Sequence, residues 1–144
     1  MMRSRAEAKG LTLAFQPPEH PTPSAFDAER IGEAVEQMLD NAIKFTESGA
    51  ITARLSQDGK ESLLHVQDTG KGIPGDHIAT LWRKFERVED LEHHTHGLGL
   101  GLPLCYLIAM AHSGQLRIDS QPGRGTTVSL VLPHMPTAAA QSLV

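Results

Sequence analysis

The chain has 144 residues, 40% of them hydrophobic and 21% charged, which fits one globular domain of ordinary size. No apolar run approaches the roughly 20 residues that span a bilayer, and none follows Met1-Met2-Arg3-Ser4-Arg5 to make a signal peptide, so a cytoplasmic domain without membrane contact of its own is predicted. A net charge of −4 with 13 scattered Lys and Arg residues argues against nucleic acid as a partner, and the single cysteine, Cys105, excludes an internal disulfide and suits a reducing compartment.

Leu11, Leu13 and Phe15 alternate with Thr12 and Ala14 and predict a first strand. Residues 17–24 carry four prolines and read as an extended loop. Asp27 is suited to cap a long helix from Ala28 to Phe45, on which Ile31, Val35, Met38, Leu39 and Ala42 form an apolar stripe. Two strands follow, with Ile51, Ala53 and Leu55 on one face of the first and Leu64, Val66 and Asp68 on one face of the second. Asp58-Gly59 between them signals a hairpin. After the glycine-rich run from Asp68 to Pro74, a short helix is expected around Asp76 to Trp82. Residues 86–97 are polar and His-rich and read as a mobile segment. A second long helix starts near Gly101, takes Pro103 in its first turn and stops before Gly114, with Leu104, Leu107, Ile108 and Ala111 as its buried stripe. Leu116 and Ile118, then Val128, Leu130 and Leu132, mark two last strands joined through Gly123 and Gly125. Residues 135–144 read as a frayed tail behind a domain of residues 1–134. Strands that pair as hairpins, with helices between the pairs, predict an α+β fold. It is a two-layer sandwich with one mixed, mostly antiparallel sheet of about five strands and helices on one face.

Three groups of residues have chemical potential. Asp68 ends its strand on the apolar face, where a carboxylate is costly unless it accepts hydrogen bonds; an exocyclic purine amine would be a suitable donor, and an ordinary strand-end turn is the plainer alternative. Gly70 and Gly72 let a flat ligand approach the backbone, as any tight turn also would. The run Gly97-Leu98-Gly99-Leu100-Gly101-Leu102 makes neither a good strand nor a good helix, but its backbone amides and the helix it opens suit a polyphosphate; a flexible hinge is the alternative. It matches neither the Walker pattern nor a dinucleotide fingerprint. Gln37, Asn41 and Lys44 share one face of the first long helix, where Asn41 suits a hard cation such as Mg²⁺ and Lys44 a phosphate, unless the face is simply solvated.

These pieces together resemble the catalytic domain of sensor histidine kinases, within the ATPase superfamily that includes gyrase, a class of heat-shock chaperones and the mismatch-repair ATPases. Residues 36–46 (EQMLDNAIKFT) resemble its asparagine motif, 68–74 (DTGKGIP) its first glycine motif, 81–88 (LWRKFERV) its phenylalanine motif and 97–102 (GLGLGL) its second glycine motif, in the family's order. The resemblance implies that Asp68 accepts from the adenine amine with Gly70, Gly72 and Ile73 around the ring. It implies that Asn41 ligates Mg²⁺ and Lys44 lies near the phosphates. Phe85 and Arg87 would belong to the base of an ATP lid. Gly97 to Leu102 would hinge the lid and cradle phosphates, and Thr126 would support Asp68. The implied reaction is transfer of the ATP γ-phosphoryl group to a histidine of a helical-hairpin phosphoacceptor domain, in cis or in trans. A response-regulator receiver domain would act downstream, and the domain would be cytoplasmic, alone or as part of a membrane-bound sensor.

The chain also departs from that pattern. Only about ten residues precede the first strand, and none of the eight histidines sits in a phosphoacceptor context, so the acceptor is expected from elsewhere. Gln37 stands where the family has Asn, or Glu in hydrolysing relatives; Gln is no base, which implies weak ATP hydrolysis. His93, His94 and His96 suit a solvated, pH-sensitive lid better than a metal site. Leu98 replaces a small polar residue. Cys105, Trp82 and Phe85 read as structural. A nucleotide-binding adaptor, or a serine kinase that sequesters a sigma factor, would share this fold.

Overall fold

The computed structural model describes residues 2–19, 27–86 and 101–134, with side chains omitted at 84–86. In chain order the elements are α1 (Met2–Ala8), β1 (Thr12–Gln16), α2 (Ala28–Phe45), β2 (Ala50–Gln57), β3 (Glu61–Asp68), α3 (Gly75–Glu86), α4 (Gly101–Ala111), β4 (Gln115–Gln121) and β5 (Gly125–Pro133). The strands form one open sheet in the order β1-β2-β3-β5-β4. Only β1 runs parallel to its neighbour; the other pairs are antiparallel. This is the expected two-layer α+β sandwich.

α2 begins where the sequence places it. The Asp27 carboxylate accepts from Arg30 N at 3.2 Å and caps the first turn. Its apolar side buries Ala34, Met38 and Ala42 against the sheet. At the other end the Lys9 ammonium donates to the carbonyls of Ile43 and Lys44, placing a cation where the helix dipole is negative. The inner sheet face carries Ile51, Ala53, Leu64, Val66, Val128 and Leu130, all buried. The opposite face carries Arg54, His65 and Ser129 in one cross-strand row.

The structure corrects several expectations. α1 has no counterpart in the sequence reading; seven residues with one buried side chain, Ala6, leave no periodic signal. α3 runs on to Glu86 rather than ending at Trp82. α4 buries Leu102, Cys105, Ile108 and Ala109, while Leu104 and Leu107 are half-buried and Ala111 is exposed. It is apolar around most of its circumference, so spacing gave no direction and packing against α2 selects the face. The left-handed residue after α4 is Ser113 (φ 58°), not Gly114. Ser113 N bonds to Met110 O and Gly114 N to Ala109 O, the paired bonds of a Schellman cap. Glycine is needed at 114 for another reason: a Cβ there would collide with the carbonyl of Val131.

The hairpin at Asp58 is closed by an Asx turn. Its carboxylate accepts from Lys60 N at 2.7 Å and Glu61 N at 2.8 Å, and these two bonds hold its pKa below the usual range.

Candidate functional site

β3 and β5 pair in a register that sets Asp68 opposite Thr126 at the end of the sheet. Both side chains are buried. Asp68 Oδ1 accepts from Gly70 N at 2.9 Å and from Thr126 N at 3.2 Å. Burial pushes the Asp68 carboxyl above the usual carboxylate range, and these two donors offset part of the rise. The loop behind it is clasped on both sides. Thr69 Oγ1 accepts from Ala50 N at 3.0 Å, and Gly123 N donates to Lys71 O at 2.7 Å. Gly72 has φ 74°, and a Cβ there would overlap the carbonyl of Gln121.

Ser120 joins these parts and escaped the sequence reading. Its Oγ accepts from Ile73 N at 2.7 Å, lies 2.8 Å from Thr126 Oγ1 and donates to Gly125 O at 3.1 Å. A signal existed: Ser120 continues the inward face of Leu116 and Ile118, as Asp68 continues that of Leu64 and Val66. Ser120→Ala leaves Ile73 N without its acceptor. It should cost about 1–2 kcal/mol in denaturant unfolding, and the Ile73 amide should lose protection from hydrogen exchange. Unchanged protection would show that the loop is held by other bonds.

Beside the loop lies a cleft of about 390 Å³, a volume in the range of small-molecule sites. Asn41 and Phe45 of α2, Lys71 to Pro74, His77 and Leu81 of α3, and Leu102 of α4 line it. The Lys71 ammonium stands 5.7 Å from the centroid of the Phe45 ring, which places a cation on the cleft wall. Trp82 of α3 meets Tyr106 of α4 edge-on, with centroids 6.4 Å apart, and ties the two helices together.

The expected site residues are only partly gathered here. Asn41, Gly72, Ile73 and Leu102 share the cleft. Asp68 and Thr126 line a second, polar depression of about 290 Å³ with Ser120 and Arg124. The two hollows share no lining residue; the loop connects their walls, with Asp68 at its start in one and Lys71 to Pro74 in the other. Gly70 lies in that loop against the Phe45 carbonyl. The Gln37 side-chain oxygen fills the space beside Gly101 where a Cβ would stand. Lys44 is engaged elsewhere: its ammonium is 3.1 Å from Asp40, which Arg5 also contacts. Burial alone would raise the Asp40 pKa, but hydrogen bonds from Arg5 and Lys44 bring it below the usual range. Arg87, Gly97, Leu98, Gly99 and Leu100, the side chain of Phe85 and the three lid histidines lie outside the described residues. Among the described residues no cluster of His, Cys, Asp and Glu suited to a metal occurs, and no helix is long and apolar enough to cross a membrane.

The family described as "Histidine kinase-, DNA gyrase B-, and HSP90-like ATPase" matches residues 26–136. The chain belongs to that family. Among proteins similar to this ATPase-family domain is the "Non-motile and phage-resistance protein" of Caulobacter vibrioides, 40% identical over 139 residues. That match covers 92% of this chain and 16% of the relative. The "Sensor histidine kinase RcsC" of Escherichia coli is 32% identical over 120 residues, covering 83% of this chain and 13% of the relative. The chain thus spans less than a fifth of either protein. A solved structure of ShkA in complex with AMPPNP superposes with a TM-score of 0.76 at 29% identity, over 96% of this chain and 29% of that one.

Proposed function

We propose that this domain binds Mg-ATP and donates its γ-phosphoryl group to a histidine of a helical-hairpin phosphoacceptor domain, in a two-component signalling system. The observation that carries this reading is the buried Asp68 carboxylate, held by the amides of Gly70 and Thr126 at the end of an apolar sheet face. A buried acceptor fixed this way is suited to an exocyclic amine of a purine. The neighbouring cleft offers Ile73, Leu81 and Leu102 as apolar walls for a ring. The similar ShkA structure was solved with an ATP analogue, and RcsC is a sensor histidine kinase by name.

The residues fit their proposed tasks unequally. Asn41 on the cleft wall has a side-chain oxygen suited to Mg²⁺, which when bound would neutralise charge on the phosphates. Lys71 supplies a cation at the same wall. Gln37 abuts the first turn of α4 and offers no base, so intrinsic hydrolysis is weak in this reading. Phosphoryl transfer asks a protein mainly to position groups and spread charge, which rigid partners such as Ser120 and Thr126 serve.

Calorimetry of the chain with Mg-ATP tests the first half, and labelled ATP with an added hairpin domain tests the second. No binding would sink the proposal. Binding without transfer to any hairpin would favour a nucleotide-binding adaptor, a reading that the engagement of Lys44 by Asp40 favours.

A further inference from the structure

Thr46 ends α2 as its C-cap, in extended backbone, and is fully buried. Among the described residues its Oγ1 is the only buried side-chain nitrogen or oxygen without a hydrogen-bond partner. Such a hydroxyl is costly to the fold, and the cost asks for a reason. The surroundings supply one. A Cβ built on Gly70 would lie 3.0 Å from Thr46 Oγ1, 3.0 Å from Asp68 Oδ1 and 2.5 Å from the carbonyl of Phe45. The unpartnered hydroxyl and the Asp68 carboxylate therefore both border the space that a side chain at residue 70 would take. A side chain at residue 70 would press on both.

We propose that Thr46 is a positioning residue for Asp68: when nucleotide is bound, its hydroxyl donates through one bridging water to the carboxylate and fixes the orientation in which that carboxylate receives the purine amine. Asp68 Oδ1 already takes the amides of Gly70 and Thr126. Those two donors lie along the loop and along β5; the Thr46 hydroxyl comes from the end of α2 and braces the group from a third element. A buried water with several polar partners is an ordinary part of such sites. This inference rests on the nucleotide reading of the site. It goes beyond that reading in giving a role to a residue that contacts neither the cleft nor the polar depression.

The test uses the whole chain and four proteins: wild type, Thr46→Val, Thr46→Ser and Asp68→Asn. Each is melted without ligand and titrated with Mg-ATP and Mg-GTP. Valine keeps the shape and removes the hydroxyl, so Thr46→Val should melt at or above wild type. It should bind ATP about tenfold more weakly, as expected for one lost bond to a charged acceptor, and its preference for ATP over GTP should shrink by a similar factor. Thr46→Ser should stay within about twofold of wild type. ATP binding by Thr46→Val at the wild-type level overturns the proposal. So does a Thr46→Val chain that melts well below wild type, because the hydroxyl would then be serving the empty fold. If wild type binds ATP and Asp68→Asn does not, while Thr46→Val matches wild type, the nucleotide reading stands and the role of Thr46 alone falls. No ATP binding by wild type overturns both.

Discussion

Asp68→Asn should weaken Mg-ATP binding by about 100-fold or more while leaving the chain folded. The asparagine oxygen can still accept from Gly70 N and Thr126 N, so the loop keeps its anchors. The remaining position becomes an NH₂ group, and a purine amine would then face a donor instead of an acceptor. Burial raises the Asp68 pKa in the folded chain, so the group stabilises the fold fully below its ordinary value and loses that contribution as pH rises through the raised one. At neutral pH the ionised carboxylate is therefore a cost to the fold. The variant should melt at or above wild type at pH 7, with the advantage fading in the acid range. Calorimetry and thermal melts at two pH values check both halves. A variant that still binds ATP normally would remove Asp68 from the site.

Gly72→Ala should damage the fold itself. The residue sits at φ 74°, where a Cβ costs about 1–2 kcal/mol. That Cβ would also overlap the carbonyl of Gln121. Gln121 cannot yield easily, because it pairs with Gly125 in the β4–β5 ladder and the turn is bonded to Lys71 through Gly123. The combined cost is about 3 kcal/mol, a fall in Tm of about 10 °C for a chain of this size. Nucleotide binding should fall with it, since the loop that bears Asp68 and Ile73 must move. Gly59→Ala is the control: nothing lies within 4 Å of its Cβ position, and its change should stay within about 0.5 kcal/mol. Equal melting of the two variants would show that the turn yields without cost.

How much of this was legible in the sequence depended on where the forces lie. α2 was readable to its ends because Asp27 caps it and its apolar stripe is bounded by polar residues. The sheet was readable because inner and outer faces alternate along β3 and the first half of β2, while β5, buried on both faces from Val128 to Leu132, still has Val128, Leu130 and Leu132 in step with them. The buried face of α4 was not, because Leu104 and Leu107 are as apolar as Leu102 and Ile108, and only α2 and the sheet distinguish them. Motif order marked Asp68 to Pro74, but the partners that hold this loop come from far along the chain: Ala50, Ser120 and Gly123. Lys44 shows the opposite failure. Helical spacing places it correctly on the face of Asn41, yet its ammonium reaches back one turn to Asp40, a pairing that spacing allows but does not require.

Cys105 has a practical consequence. The thiol is fully buried at the contact of α4 with α2, where its Sγ lies 3.4 Å from the carbonyl of Ala34. Burial pushes its pKa up to about 12, so almost no thiolate exists at neutral pH while the domain stays closed. It is also the chain's single sulfhydryl. A maleimide added to the native protein should therefore react only as fast as the helical layer lifts from the sheet. The rate of that labelling, slowed by a bound ligand or hastened by a loosened loop, would time the opening of the domain without any introduced probe.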